Sequence, residues 1–103
     1  MKIIPQPIVF EWDKGNLNKN FVLHKVTNQE AEEVFFDEQV TIFSDDKRSA
    51  SEKRYMIWGS TNRGRMLAVI FTIRKDNIRV ISARDLHRKE RKHYEKFKEN
   101  SEI

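Results

Sequence analysis

The feature that most restricts the fold is a set of three β-rich runs in the second half of the chain. Residues 54–61, 65–74 and 78–84 are rich in β-branched and aromatic side chains, and only Asn62-Arg63-Gly64 and Lys75-Asp76-Asn77 separate them. Connections of three residues cannot carry a crossover, so consecutive runs must pair antiparallel as two successive hairpins. The middle run, Met66-Leu67-Ala68-Val69-Ile70-Phe71-Thr72-Ile73, is apolar on both parities. It should be a central strand covered on both faces, which requires helices on both sides of the sheet.

The flanking segments supply them. Residues 8–12 read as a short first strand, and Asp13 as the N-cap of a helix over 13–24 with Leu17, Phe21 and His24 on one stripe. Thr27 and Glu30 form a capping box for a second helix over 27–36, whose apolar stripe is Ala31, Val34 and Phe35. Residues 39–43 read as a strand and 44–52 as a polar loop. A last helix is expected over 85–98, with Asp85 as N-cap and Leu86, Tyr94 and Phe97 on its buried stripe, followed by a polar tail over 100–103. The order β-α-α-β-β-β-β-α describes an α+β fold on a mainly antiparallel sheet.

A chain of 103 residues closes one modest core, so a single domain over 1–103 is expected, without a deep cofactor cavity. It has no cysteine, which excludes disulfides and thiolate chemistry and suits a reducing cytoplasm. The longest apolar run is the six residues 66–71, far short of the roughly 20 that span a bilayer, and Pro5 and Pro7 interrupt any secretory signal. The net charge of +4 is divided: residues 1–52 carry 6 Lys/Arg against 10 Asp/Glu, and residues 53–103 carry 14 against 6. Eight of those fourteen cations are arginines, whose planar fork matches phosphate. The two halves can neutralise each other in the fold, or the basic half can present a face to a polyanion.

Period-two alternation places Ile78, Val80, Ser82 and Arg84 on one face of the last strand, and helical spacing puts Glu90, His93 and Tyr94 among the sheet-facing residues Leu86 and Phe97. A carboxylate in an apolar stripe needs a partner, and the strand arginines Arg84, Arg79, Arg74 and Arg54 are the candidates. Glu90 then either fixes the helix by a salt bridge or joins a group of Arg, Glu, Tyr and His suited to cleaving a phosphodiester without metal. No metal or other cofactor is expected. His87 and His93 fall on different helix faces, His24 is distant, and neither a phosphate-binding glycine loop nor a Gly-x-Ser-x-Gly elbow occurs. Most aromatics belong to the core, which leaves Tyr94 and Tyr55 for base stacking.

Phe10-Glu11-Trp12-Asp13, Asn20-x-x-x-His24-x-Val26, Glu30-Ala31-Glu32-Glu33-Val34-Phe35, Gly59-x-Thr61-x-x-Gly64-Arg65-x-Leu67, Ile78-Arg79-Val80-Ile81-Ser82-Ala83-Arg84 and Glu90-Arg91-x-x-Tyr94 together resemble the BrnT toxin family, over residues 10–94. The resemblance implies a RelE-like ribonuclease toxin of a type II toxin–antitoxin system, working on RNA without a cofactor. It also implies a BrnA-type ribbon-helix-helix antitoxin as partner, with promoter DNA reached only through the complex. Carried over to this chain, it points to Arg65, Arg84, Glu90 and Tyr94 for catalysis, with His24 and Arg54 as second choices; of the remaining cations of the basic half, Lys53, Arg74 and Arg79 are expected, with Arg54, to contact RNA. The chain departs from the family pattern at Leu23 and Lys25, where Lys-His-Gly is usual, and at Asn16, where a lysine is usual; Lys19 and Lys25 lie close enough to substitute. His24 is then either a catalyst or a helix-end cap. A non-catalytic module that binds antitoxin or nucleic acid is the alternative.

Overall fold

The computed structural model describes residues 3–45 and 52–101, so part of the expected polar loop and the end of the tail lie outside the described residues. Its elements are α1 (Lys19–His24), α2 (Asn28–Val34), β1 (Thr41–Ser44), β2 (Tyr55–Ser60), β3 (Met66–Arg74), β4 (Asn77–Asp85) and α3 (Arg88–Ser101). The strands form one antiparallel sheet in the order β1-β2-β3-β4. The meander is therefore as the short connections require. The β3–β4 turn is tighter than the three expected residues: Arg74 pairs with Asn77, and Lys75 and Asp76 both take positive φ, of 49° and 65°. These are the signs of a type I′ turn, whose twist matches that of the strands.

Each face of the sheet has its own core. On one, Val26, Ala31, Val34 and Phe35 pack on Ile57, Leu67, Val69, Phe71, Ile78, Val80 and Ala83. On the other, Leu86 and Tyr94 pack on Trp58 and Ala68, with Phe43, Met56 and Met66 alongside. The capping box at α2 is present in both directions: Thr27 accepts from the Glu30 N–H, and Glu30 returns to the Thr27 N–H at 2.9 Å.

Two expectations change at the outer edge of β4. Residues 8–12 form no strand of their own. They make a single parallel bridge, Phe10 to Ile78, with the Glu11 N–H donating to the Ile78 carbonyl and the Ile78 N–H to the Val9 carbonyl, both at 2.8 Å. The first helix is confined to 19–24, because 14–18 turn to cover the same edge. There the residues that face inward are asparagines. Asn16 Nδ2 donates to the carbonyls of Glu11 and Val80, each at 3.0 Å, and Asn20 Oδ1 accepts from the Ala83 N–H at 3.0 Å. Leu17 and Phe21, expected on the buried stripe, are about half exposed. An edge strand offers unpaired amides rather than apolar surface, so side-chain amides are its better partners.

The alternation along β4 is also corrected. Ile70 pairs with Ser82 but Phe71 pairs with Val80, so Ile81 is an extra residue in a β-bulge. Beyond it the parity inverts: Val80 and Ala83 share one core, and Arg84 turns to the opposite face, opposite Ala68 and beneath α3.

The positive φ at Lys75 and Asp76 gives the first prediction. Both residues are exposed and neither side chain makes a hydrogen bond or ion pair among the described residues, and Asn-Gly is the preferred pair for this turn. The double substitution Lys75→Asn, Asp76→Gly is expected to add about 1 kcal/mol and to raise Tm by about 4–8 °C, measured by thermal unfolding.

Candidate functional site

The expected site residues separate into two clusters at opposite ends of β4. The first surrounds Arg84. Its Nη1 and Nη2 donate to Glu90 Oε1 and Oε2 at 2.7 and 3.0 Å, and Nη1 also donates to the Asp85 carbonyl at 3.2 Å. Glu90 thus finds its partner among the strand arginines. Its Oε1 accepts in addition the His87 N–H, at 2.8 Å, in the manner of a capping box at the start of α3. The Arg84 hydrogen bonds hold the Glu90 carboxyl below its ordinary range against the opposing effect of burial, with help from the His87 N–H. The helix begins at Arg88, so Asp85 is not its N-cap: it ends β4, where Arg65 takes it.

Arg65 joins four parts of the chain. Its Nε and Nη2 donate to the two Asp85 oxygens at 2.7 and 3.0 Å, Nη1 to Glu30 and to the Lys25 carbonyl, and Nη2 to the His24 carbonyl at 3.3 Å. All five guanidinium donors are engaged, which raises its pKa through Asp85 first and Glu30 next. Asp85 is lowered mainly by the Arg65 hydrogen bond. At Glu30 burial pushes the pKa up, but the Thr27 N–H and Arg65 outweigh it and leave the carboxyl lowered. Arg65 therefore ties the end of α1, the start of α2 and the end of β4 together. Arg84, by contrast, keeps its Nε–H and one Nη2–H outside the hydrogen bonds among the described residues. A cleft of about 240 Å³ lined by Gly64, Arg65, Met66, Asp85, Leu86 and Arg91 opens beside this cluster. The His24 side chain is exposed at the last turn of α1, and its charge reaches Asp85.

Tyr94 lies on the buried, sheet-facing stripe of α3 as expected, which withdraws it from the base stacking that was also open to it. It is 0% exposed, and its hydroxyl donates to Asp37 Oδ2 at 2.6 Å, with Ser60 Oγ at 3.4 Å. The Ser60 N–H also donates to Asp37 Oδ2, at 2.8 Å. Burial, reinforced by Asp37, pushes the phenol up to about 12. Tyr94 is neutral at physiological pH and anchors α3 to the sheet.

The second cluster holds the arginines expected to contact RNA. Arg79 pairs with Asp13 at 2.6 and 3.0 Å, and Arg74 with Glu52 at 2.7 Å through both Nε and Nη2. They line a cleft of about 170 Å³ with Arg54, Lys19 and Asn16; Lys53 adjoins it, its carbonyl accepting from Thr72. Arg79 and Arg84 stand five residues apart on β4, roughly 16 Å at about 3.3 Å per residue. Among the described residues no three His, Cys, Asp or Glu side chains gather as metal ligands, and no helix is long and apolar enough to cross a membrane.

Sequence reasoning missed Asp85 and Asp37 as partners of Arg65 and Tyr94. An acidic residue at the end of the last strand, opposite the arginine that opens the middle one, was the available signal for Asp85. Asp37 had none, since its contact spans 57 positions.

Two predictions follow from these bonds. Glu30, Asp85 and Glu90 all titrate lower in the folded state, so the stability they add is complete above the unfolded values near 4 and is lost as pH falls through the folded ones. Tm should fall on acidification below about pH 4.5, and less steeply in Glu90→Gln, as followed by thermal unfolding across pH. Tyr94→Phe removes a buried donor from Asp37 and is expected to cost about 1–3 kcal/mol in denaturant unfolding.

Residues 12–90 match the family described as the ribonuclease toxin, BrnT, of type II toxin–antitoxin systems. No curated protein matches the chain.

Proposed function

The chain belongs to the BrnT family of type II toxin–antitoxin ribonuclease toxins, and from that premise we propose that it is an endoribonuclease that cuts messenger RNA without a metal ion at the β4–α3 end of its sheet. The observation that carries the assignment to this end is Arg84, held in place by Glu90 on two of its nitrogens while two donors stay open. Attack of a ribose 2′-hydroxyl on the adjacent phosphorus builds extra negative charge on the phosphoryl oxygens, and a guanidinium already oriented stabilises it without reorganising. Arg65, saturated by protein acceptors, fixes the cleft wall rather than the phosphate. The second arginine cluster extends the electropositive path along the strand. Tyr94 acts through the position of α3.

The proposed partner is a BrnA-type ribbon-helix-helix antitoxin that covers this surface and carries the complex to promoter DNA, in the cytoplasm where messenger RNA is found. Purified protein in EDTA should cut single-stranded RNA to 2′,3′-cyclic or 3′-phosphate ends, and its expression should arrest growth unless the neighbouring small gene is co-expressed. Arg84→Ala is expected to lower the cleavage rate by about 10²–10³-fold with the fold intact by circular dichroism. Salt-dependent RNA binding with the RNA left whole would favour the non-catalytic reading instead.

A further inference from the structure

Cleavage at a 2′-hydroxyl needs two proton transfers, and the residues carried over from the family leave them short of groups. Glu90 is ionised and both its oxygens are occupied, Oε1 by Arg84 and the His87 N–H and Oε2 by Arg84. Tyr94 is sealed beneath α3 with its phenol at about 12. Arginine does not give up its proton at neutral pH. His24 presents an exposed imidazole, but it is one group.

A second imidazole stands at the same end of the sheet. His87 is exposed, lies three residues beyond Arg84, and is joined to the Arg84–Glu90 pair through its own N–H. Its segment is linked to the end of α1 through one guanidinium: Asp85, two residues back and so at most about 7 Å away along the chain, accepts from Arg65 Nη2 at 3.0 Å, and the same nitrogen donates to the backbone carbonyl of His24 at 3.3 Å. The charged groups around the two imidazoles are Arg84 and Asp85 on β4, Glu90 and Arg91 on α3, Arg65 before β3, Glu30 on α2 and Lys25 after α1.

We propose that His87 is a catalytic residue that shares proton transfer with His24 across the Arg65–Arg84 end of the sheet. The proposal rests on the ribonuclease reading above. One imidazole takes the 2′-hydroxyl proton, and the 2′-oxygen forms a bond to phosphorus. The phosphorus–5′-oxygen bond breaks, and the departing 5′-oxygen takes a proton from the other imidazolium. The products are a 2′,3′-cyclic phosphate and a 5′-hydroxyl, with no further reactant.

The structural alternative is that His87 serves only as the residue before α3. His87→Ser separates the two, because serine is a better N-cap than histidine but carries no imidazole. With a single-stranded RNA oligonucleotide in EDTA, H87S is expected to keep or raise Tm while its cleavage rate falls by about 10²-fold or more. The bell-shaped pH–rate profile of the wild-type protein should lose one limb in H87S, and Glu95→Gln, an exposed control further along α3, should cleave as the wild type does. Wild-type cleavage matched by H87S with an unchanged profile would overturn the proposal alone. Failure of the wild-type protein to cut would overturn the ribonuclease reading and the proposal with it.

Discussion

The pairing of Asn16 and Asn20 with the backbone of β4 is the interaction on which the rest of the site depends. β4 is an edge strand, and its extra residue at Ile81 leaves the ladder locally broken. Unpaired amides in such a place would cost stability or recruit another strand. The two asparagines meet them on either side of the bulge, at the Val80 carbonyl and the Ala83 N–H, while the Phe10 bridge covers the strand's beginning. The bulge inverts the facing of everything that follows. Because of it Arg84 lies under α3 and meets Glu90, instead of lying with Val80 beneath α1 and α2.

The same edge accounts for an asparagine at position 16. Asn16 is only 3% exposed and bonds to two carbonyls, so in this chain the position is part of the scaffold. Lys25 occupies the left-handed C-cap of α1, with φ 57°, a conformation that favours glycine. Its carbonyl is nevertheless an acceptor for Arg65, which keeps the end of α1 at the cleft.

Electrostatics give the two arginines at this end different tasks. Arg65 spends all its donors on Asp85, Glu30 and two carbonyls, and so closes α1, α2 and β4 around one point. Arg84 is held by one carboxylate and retains donors. The acidic first half and the basic second half accordingly neutralise each other in part: Asp13 and Glu30 pair with Arg79 and Arg65 across the halves, and Arg84 keeps two donors outside the hydrogen bonds among the described residues.

The meander, the capping box at Thr27 and the covered central strand were legible in the sequence because each rests on local spacing: a short connection forces a hairpin, and two apolar parities force two covered faces. The Glu90 partner was legible as a class, since a carboxylate among Leu86 and Tyr94 must be paired, and the choice of Arg84 was not. That choice, the burial of Tyr94 against Asp37, and the inward turn of Asn16 and Asn20 in place of Leu17 and Phe21 were decided by tertiary structure. A single extra residue at Ile81 resets parity without a signature in hydropathy, and hydrogen bonds across 57 to 64 positions depend on which strand lies at the edge. The sequence by itself determined the sheet, its two covers and the family; only the fold decided which arginine is saturated and which is open.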